Sequence, residues 1–143
     1  MKKSILLCLL VLLFTVPGCR MFKGYQYEEL IEKLEVVVLV NFENKYINGN
    51  LVYTEIQTIS DKELVLQFAE DLCQSKINNI LLGAPSYHSG KGVKLLYSDG
   101  SYDLLGQEFT FFYDADENRK SGYNYDGLSS KALNKLFEEY LVE

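Results

Sequence analysis

Ser98-Asp99-Gly100 separates two strand-length runs, residues 93–97 and 101–105, that are rich in Leu and Tyr. A tight turn between two such runs specifies an antiparallel hairpin. Asn48-Gly49-Asn50 marks a second reversal. Before it, residues 35–43 include Val36, Val37, Val38 and Val40, a β-branched run expected to be a buried strand. After it, residues 51–59 alternate, with Val52, Thr54, Ile56 and Thr58 on one side and Tyr53, Glu55 and Gln57 on the other. Further strands are expected at residues 80–82 and 108–113. Strands joined mainly by hairpins build a largely antiparallel sheet.

Helical spacing recurs in three places. Tyr27, Leu30, Ile31 and Leu34 share one face of a short helix. Ser60-Asp61-Lys62-Glu63 reads as a capping box with Ser60 as the cap, opening a helix to about residue 76. Its core face holds Val65, Phe68, Ala69 and Leu72, widened by Leu64, Leu66 and Cys73, and Asn78-Asn79 is expected to end it. A last helix over residues 129–141 carries Leu133, Leu136, Phe137, Tyr140 and Leu141. The expected order is α-β-β-α-β-β-β-β-α, with loops at residues 83–92 and 114–127. The fold class is α+β: a small, largely antiparallel sheet with helices packed on one face, preceded by a cleaved signal segment.

That segment covers residues 1–18. Lys2-Lys3 precede residues 5–16, a run apolar but for Thr15. Twelve helical residues reach about 18 Å at ~1.5 Å each, short of the ~30 Å hydrocarbon core, so an export signal is the expected reading. Val16-Pro17-Gly18-Cys19 follows. This stretch resembles a bacterial lipoprotein precursor, in which an aliphatic residue and two small residues precede an invariant cysteine. Pro17 departs from that pattern. The resemblance implies cleavage after Gly18, acylation of Cys19, and a membrane anchor on the extracytoplasmic face. Plain secretion is the alternative, since Val16-x-Gly18 also fits a small-residue cleavage rule. Residues 19–26 are then expected as a tether, and residues 27–143 as a single domain that resembles small exported Gram-positive domains without matching a diagnostic motif.

Beyond residue 18, twelve Lys and Arg face twenty Asp and Glu, a formal charge of −8. Such a domain is repelled by phosphate backbones, so nucleic acid is not an expected partner. Cys73 is the one cysteine after Cys19, which leaves no internal disulfide. Its place on the helical stripe predicts a buried, unreactive thiol. No cofactor motif is present.

Asp114, Asp116 and Asn118 have the spacing that opens a calcium loop. Arg119 stands where that loop needs Gly, and Tyr125 where it needs a bidentate Glu, so the expected reading is an acidic solvated loop. His88, the only histidine, would need a nucleophile such as Ser86 or Cys73 within reach to serve catalysis. All eleven tyrosines lie beyond residue 18. Covering the open face of the sheet is their simplest role. Tyr87, His88, Lys91, Arg119, Tyr123 and Tyr125, together with Lys120, fall in the two loops. If those loops meet, they form a cationic, aromatic binding patch for a protein or an acidic envelope polymer. The expected function is a lipid-anchored binding module. The alternatives are an envelope hydrolase using the His88 loop and a structural or stress lipoprotein with no discrete ligand.

Overall fold

The computed structural model describes residues 22–79, 88–123 and 126–142. Both turn signals reverse the chain. Asn48 and Gly49 hold positive φ angles of 51° and 84°, the geometry a two-residue hairpin turn requires, and Gly100 does the same at 82°. Strands β1 (Leu34–Ile47) and β2 (Asn50–Ile59) form the first hairpin. Strands β4 (Ser89–Tyr97) and β5 (Tyr102–Gly106) form the second. With β6 (Phe109–Tyr113) and β7 (Arg119–Tyr123) they make a six-stranded sheet of order β2-β1-β4-β5-β6-β7, antiparallel throughout. Short strands β3 (Ile77–Asn79) and β8 (Asp126–Leu128) pair separately. The α+β architecture is as expected, with more strand than the sequence suggested.

Helices α1 (Tyr27–Ile31), α2 (Lys62–Gln74) and α3 (Ser130–Tyr140) pack on one face of the sheet. There Val65, Phe68, Leu72, Leu133, Leu136 and Phe137 meet Val37, Leu39, Val93 and Leu95 of the strands. Asp61 caps α2, and Ser60 does not: the carboxylate accepts the Glu63 and Leu64 amides at 3.0 and 3.1 Å. A carboxylate there both satisfies orphan amides and complements the helix dipole. Leu64 and Leu141 are exposed, so both apolar stripes are narrower than expected.

Two boundaries shift. Helix α2 stops at Gln74 because Ser75 turns to extended backbone while its hydroxyl donates to the Asp71 carbonyl at 2.8 Å. Asn78 and Asn79 then lie in β3 instead of ending the helix, paired with Gly127 and Asp126. The strand expected at residues 80–82 lies outside the described residues. Within the loop expected at residues 114–127, the chain turns over residues 114–118 and then forms β7, and β8 begins at Asp126.

Residues 22–26, expected as tether, are held against the sheet. The Phe22 amide donates to Asp126 Oδ2 at 2.9 Å, and its ring meets Tyr25 and Phe112 edge-on. Tyr25 and Tyr97 both donate to Asp103 Oδ2, at 2.8 and 2.5 Å, and the Lys33 ammonium lies over the Tyr97 ring. Asp103 is a buried carboxylate on the helix-covered face. Burial pushes its pKa up, and the two phenol donors and Lys33 oppose that.

Candidate functional site

Among the described residues the other face of the sheet carries no helix, yet Val38, Val40, Phe42, Leu104, Phe109 and Phe111 are buried there. Coiling of the sheet covers them. Phe42 on β1 and Phe109 on β6 are separated by β4 and β5, about 14 Å across three strand spacings in a flat sheet. Their ring centroids nevertheless stand 5.0 Å apart. The intervening strands present Gly92 and Gly106 in register. A Cβ on Gly92 would stand 2.0 Å from the Phe42 ring, and one on Gly106 would stand 2.1 Å from the Phe109 ring. Aromatic rings thus occupy the space that strand glycines leave. Gly122 on β7 takes the Phe111 ring in the same way.

At one end of this face the polar groups gather. The His88 carbonyl accepts the Asn44 amide at 3.0 Å, which fastens His88 to β1. Its imidazole packs on Phe109 and Phe111, with centroids at 4.6 and 5.1 Å, and its Nδ1 hydrogen-bonds the Tyr46 hydroxyl. The Arg119 guanidinium lies over the Phe111 ring, 3.7 Å from its centroid. Burial lowers the His88 pKa, and Arg119 lowers it further, so the ring is neutral at physiological pH. Burial raises Tyr46, against the pull of Arg119. Arg119 is the Cα partner of Tyr113, whose ring stacks on Tyr102 at 4.7 Å. The Tyr113 hydroxyl is buried with no hydrogen-bond partner among the described residues. Further along, Lys94 sits between the Tyr53 and Tyr102 rings and pairs with Glu55 at 3.4 Å.

No protein-family model, curated protein or solved structure matches this chain. The site therefore stands on its own geometry.

His88 and Arg119, expected in one patch, do come together, on Phe111. Lys91 does not join them. It points to the helix-covered face, where Nζ donates to Asn134 Oδ1 at 3.0 Å and lies over the Phe137 ring. The reason is β alternation: Lys91 shares its face with Val93 and Leu95. Lys120 is taken up by Asp114 at 2.6 Å. Tyr123 is the last residue of β7. Tyr87, Tyr125, Ser86 and Cys19 lie outside the described residues.

Asp114, Asp116 and Asn118 form the β6–β7 turn. Asp114 Oδ1 accepts the Asp116 and Asn118 amides at 3.1 and 2.8 Å, and Oδ2 takes Lys120. This carboxylate closes a turn with both oxygens. Among the described residues no three His, Cys, Asp or Glu side chains gather as a metal site. Cys73 is half-buried instead of buried. It lines a groove of about 330 Å³ with Tyr27, Glu70 and Gln74, and burial and Glu28 push its thiol pKa up. It packs with the helix-side core while His88 lies on the opposite face, so the two form no catalytic pair.

Tyr46, Tyr113, Phe109 and Phe111 were not among the residues expected at a site. One signal was available: Phe109, Phe111 and Tyr113 alternate on one side of β6, and glycines recur in the facing strands.

Proposed function

We propose that this protein is a lipid-anchored, extracytoplasmic binding module of a bacterial envelope. It is held by a diacylglyceryl group on Cys19 and engages a protein or envelope-polymer partner through the Tyr46–His88–Arg119 end of its aromatic face. The observation that carries the binding reading is Arg119. On a chain with this acidic excess, its guanidinium is exposed, has no ion-pair partner among the described residues, and rests on Phe111 beside His88. A cation on an aromatic ring presents contact area and donors together. The anchor reading rests on Val16-Pro17-Gly18-Cys19. With Cys19 acylated, only Arg20 and Met21 would separate the lipid from the docked Phe22. Three Cα steps reach about 11 Å, so the domain would sit close to the membrane surface.

Two experiments test the two halves. Cells expressing the wild type take up labelled fatty acid into the protein, and Cys19→Ser abolishes the label and releases the protein. Crosslinking at the cell surface recovers a partner with the wild type and far less with a folded His88→Ala, Arg119→Ala variant. Equal recovery from both moves the interaction elsewhere.

A further inference from the structure

Tyr113 is a tyrosine where a phenylalanine would pack as well. Its ring is stacked on Tyr102 and its residue is only 3% exposed, yet its hydroxyl has no hydrogen-bond partner among the described residues. A buried hydroxyl without a partner destabilises the fold relative to the same ring without oxygen. Buried polar groups are nearly always hydrogen-bonded, so one without a protein partner marks a place that a water or a ligand group can engage. The Leu51 main-chain amide acts on its oxygen, so the unmet group is the hydroxyl proton; Arg119, Tyr46 and Tyr53 act on it too. Arg119 is its neighbour across the β6–β7 ladder, and Leu51 is the Cα partner of Tyr46. The Arg119 guanidinium and the Tyr46 and Tyr113 hydroxyls therefore lie at one end of the face, beside the rings of Phe111 and His88.

From this arrangement we infer that the Arg119–Tyr113–Tyr46 cluster binds an oxyanion, a carboxylate or phosphate group carried on an apolar body. Arg119 supplies planar, paired N–H donors that match either oxyanion. Its exposed guanidinium rests on the Phe111 ring and turns toward an anion beside the Tyr113 hydroxyl. Tyr113 then donates its hydroxyl proton to the bound oxyanion. The half-buried His88 ring and the exposed Tyr46 ring take the apolar body. His88 acts by orienting Tyr46 through its Nδ1. This deepens the binding-module reading and rests on the same end of the sheet.

The test is a titration of the full chain in neutral detergent, followed by NMR. The probes are benzoate and phenyl phosphate, with benzyl alcohol as the neutral body and inorganic phosphate as the bare anion. At least one aromatic anion produces saturable shifts at residues 111, 113 and 119, and benzyl alcohol and inorganic phosphate bind at least tenfold more weakly. Which aromatic anion binds tighter identifies the source chemistry as carboxylate or phosphate. Arg119→Gln weakens binding about tenfold or more. Tyr113→Phe separates function from packing: it raises the melting temperature and weakens binding several-fold. Absent saturation with both aromatic anions, equal binding of benzyl alcohol, or unchanged affinity in the folded Tyr113→Phe variant would overturn the inference. The titration needs neither anchor nor partner. Its failure leaves the binding-module reading to the crosslinking experiment, and a failed crosslink leaves the anion site to the titration.

Discussion

The two faces of the sheet are buried by different means. On one, aliphatic strand residues meet amphipathic helices, and Val65, Phe68 and Leu72 on α2 oppose Val37, Leu39 and Leu95. On the other, no helix among the described residues contributes, and the sheet folds over its own aromatic residues. The helix-covered face hides a carboxylate, Asp103, whose two tyrosine donors satisfy it. The coiled face hides a hydroxyl, Tyr113, that nothing described satisfies. A face closed by packed helices is complete in itself. A face closed by curvature ends at a rim where cations and phenols can still be reached, and that is where the candidate site lies.

Breaking the helix-covered face has the largest expected effect. Phe68 is fully buried against Tyr140, with ring centroids 4.9 Å apart. Phe68→Ala removes a ring from between helix and sheet and should cost about 3–5 kcal/mol in urea unfolding. A loss below 1 kcal/mol would mean that this face is less tightly packed than the structure shows.

The coiled face breaks differently, by addition. Gly92→Ala places a methyl 2.0 Å from Phe42 and 2.7 Å from the Leu105 carbonyl. The ring must leave, at an expected cost of about 1–3 kcal/mol. Combining it with Phe42→Ala should cost less than the sum of the two single changes, since the ring and the methyl compete for one space. Strict additivity would show that the glycine is not there for the ring.

The pH dependence separates the faces without a fold-breaking change. Burial raises the folded pKa of Asp103 above its ordinary 3.8, so its contribution is fully present below about that pH and is lost as pH rises through the raised value. His88 has the opposite window. Its folded pKa is depressed below 6.5 by burial and Arg119, so its contribution is present above that value and is lost as pH falls through the folded one. In urea midpoints measured from pH 3 to 8, Asp103→Asn should remove the first slope and His88→Gln the second. A variant whose profile parallels the wild type would remove that residue from the account. The smallest effect is expected at the rim. Asp114→Ala should speed amide exchange at Asp116 and Asn118 while leaving the melting temperature nearly unchanged. Added calcium should leave both unchanged, because the carboxylate is spent on the turn.

Half of the candidate site was legible as residues and almost none of it as an assembly. His88 and Arg119 stood out as the lone imidazole and one of few cations. Lys91 stood out equally and proved to face the other way, because strand β4 extends back to Ser89 and alternation then governs its direction. Tyr46 lies past the end of the expected strand, which runs on to Ile47. The β7 return was hidden because Arg119-Lys120-Ser121-Gly122 has little strand propensity. Its pairing with β6 is supported by Asp114 at the turn and by Phe111 under Arg119.

The sequence by itself determined the antiparallel hairpins, the helix faces and the placement of those helices over one side of the sheet. These follow from short-range chemistry: a positive-φ turn residue, a period of two or of 3.6, and a cap at a helix start. Only the tertiary structure decided that the second face closes on itself. That depends on Gly92 meeting Phe42 fifty residues away, and on Gly106 and Gly122 taking the Phe109 and Phe111 rings across neighbouring strands, so that Phe42 and Phe109 come together. Glycine shows in a sequence only as an absence of side chain, and what fills the space is set by register and coil, to which no local pattern refers.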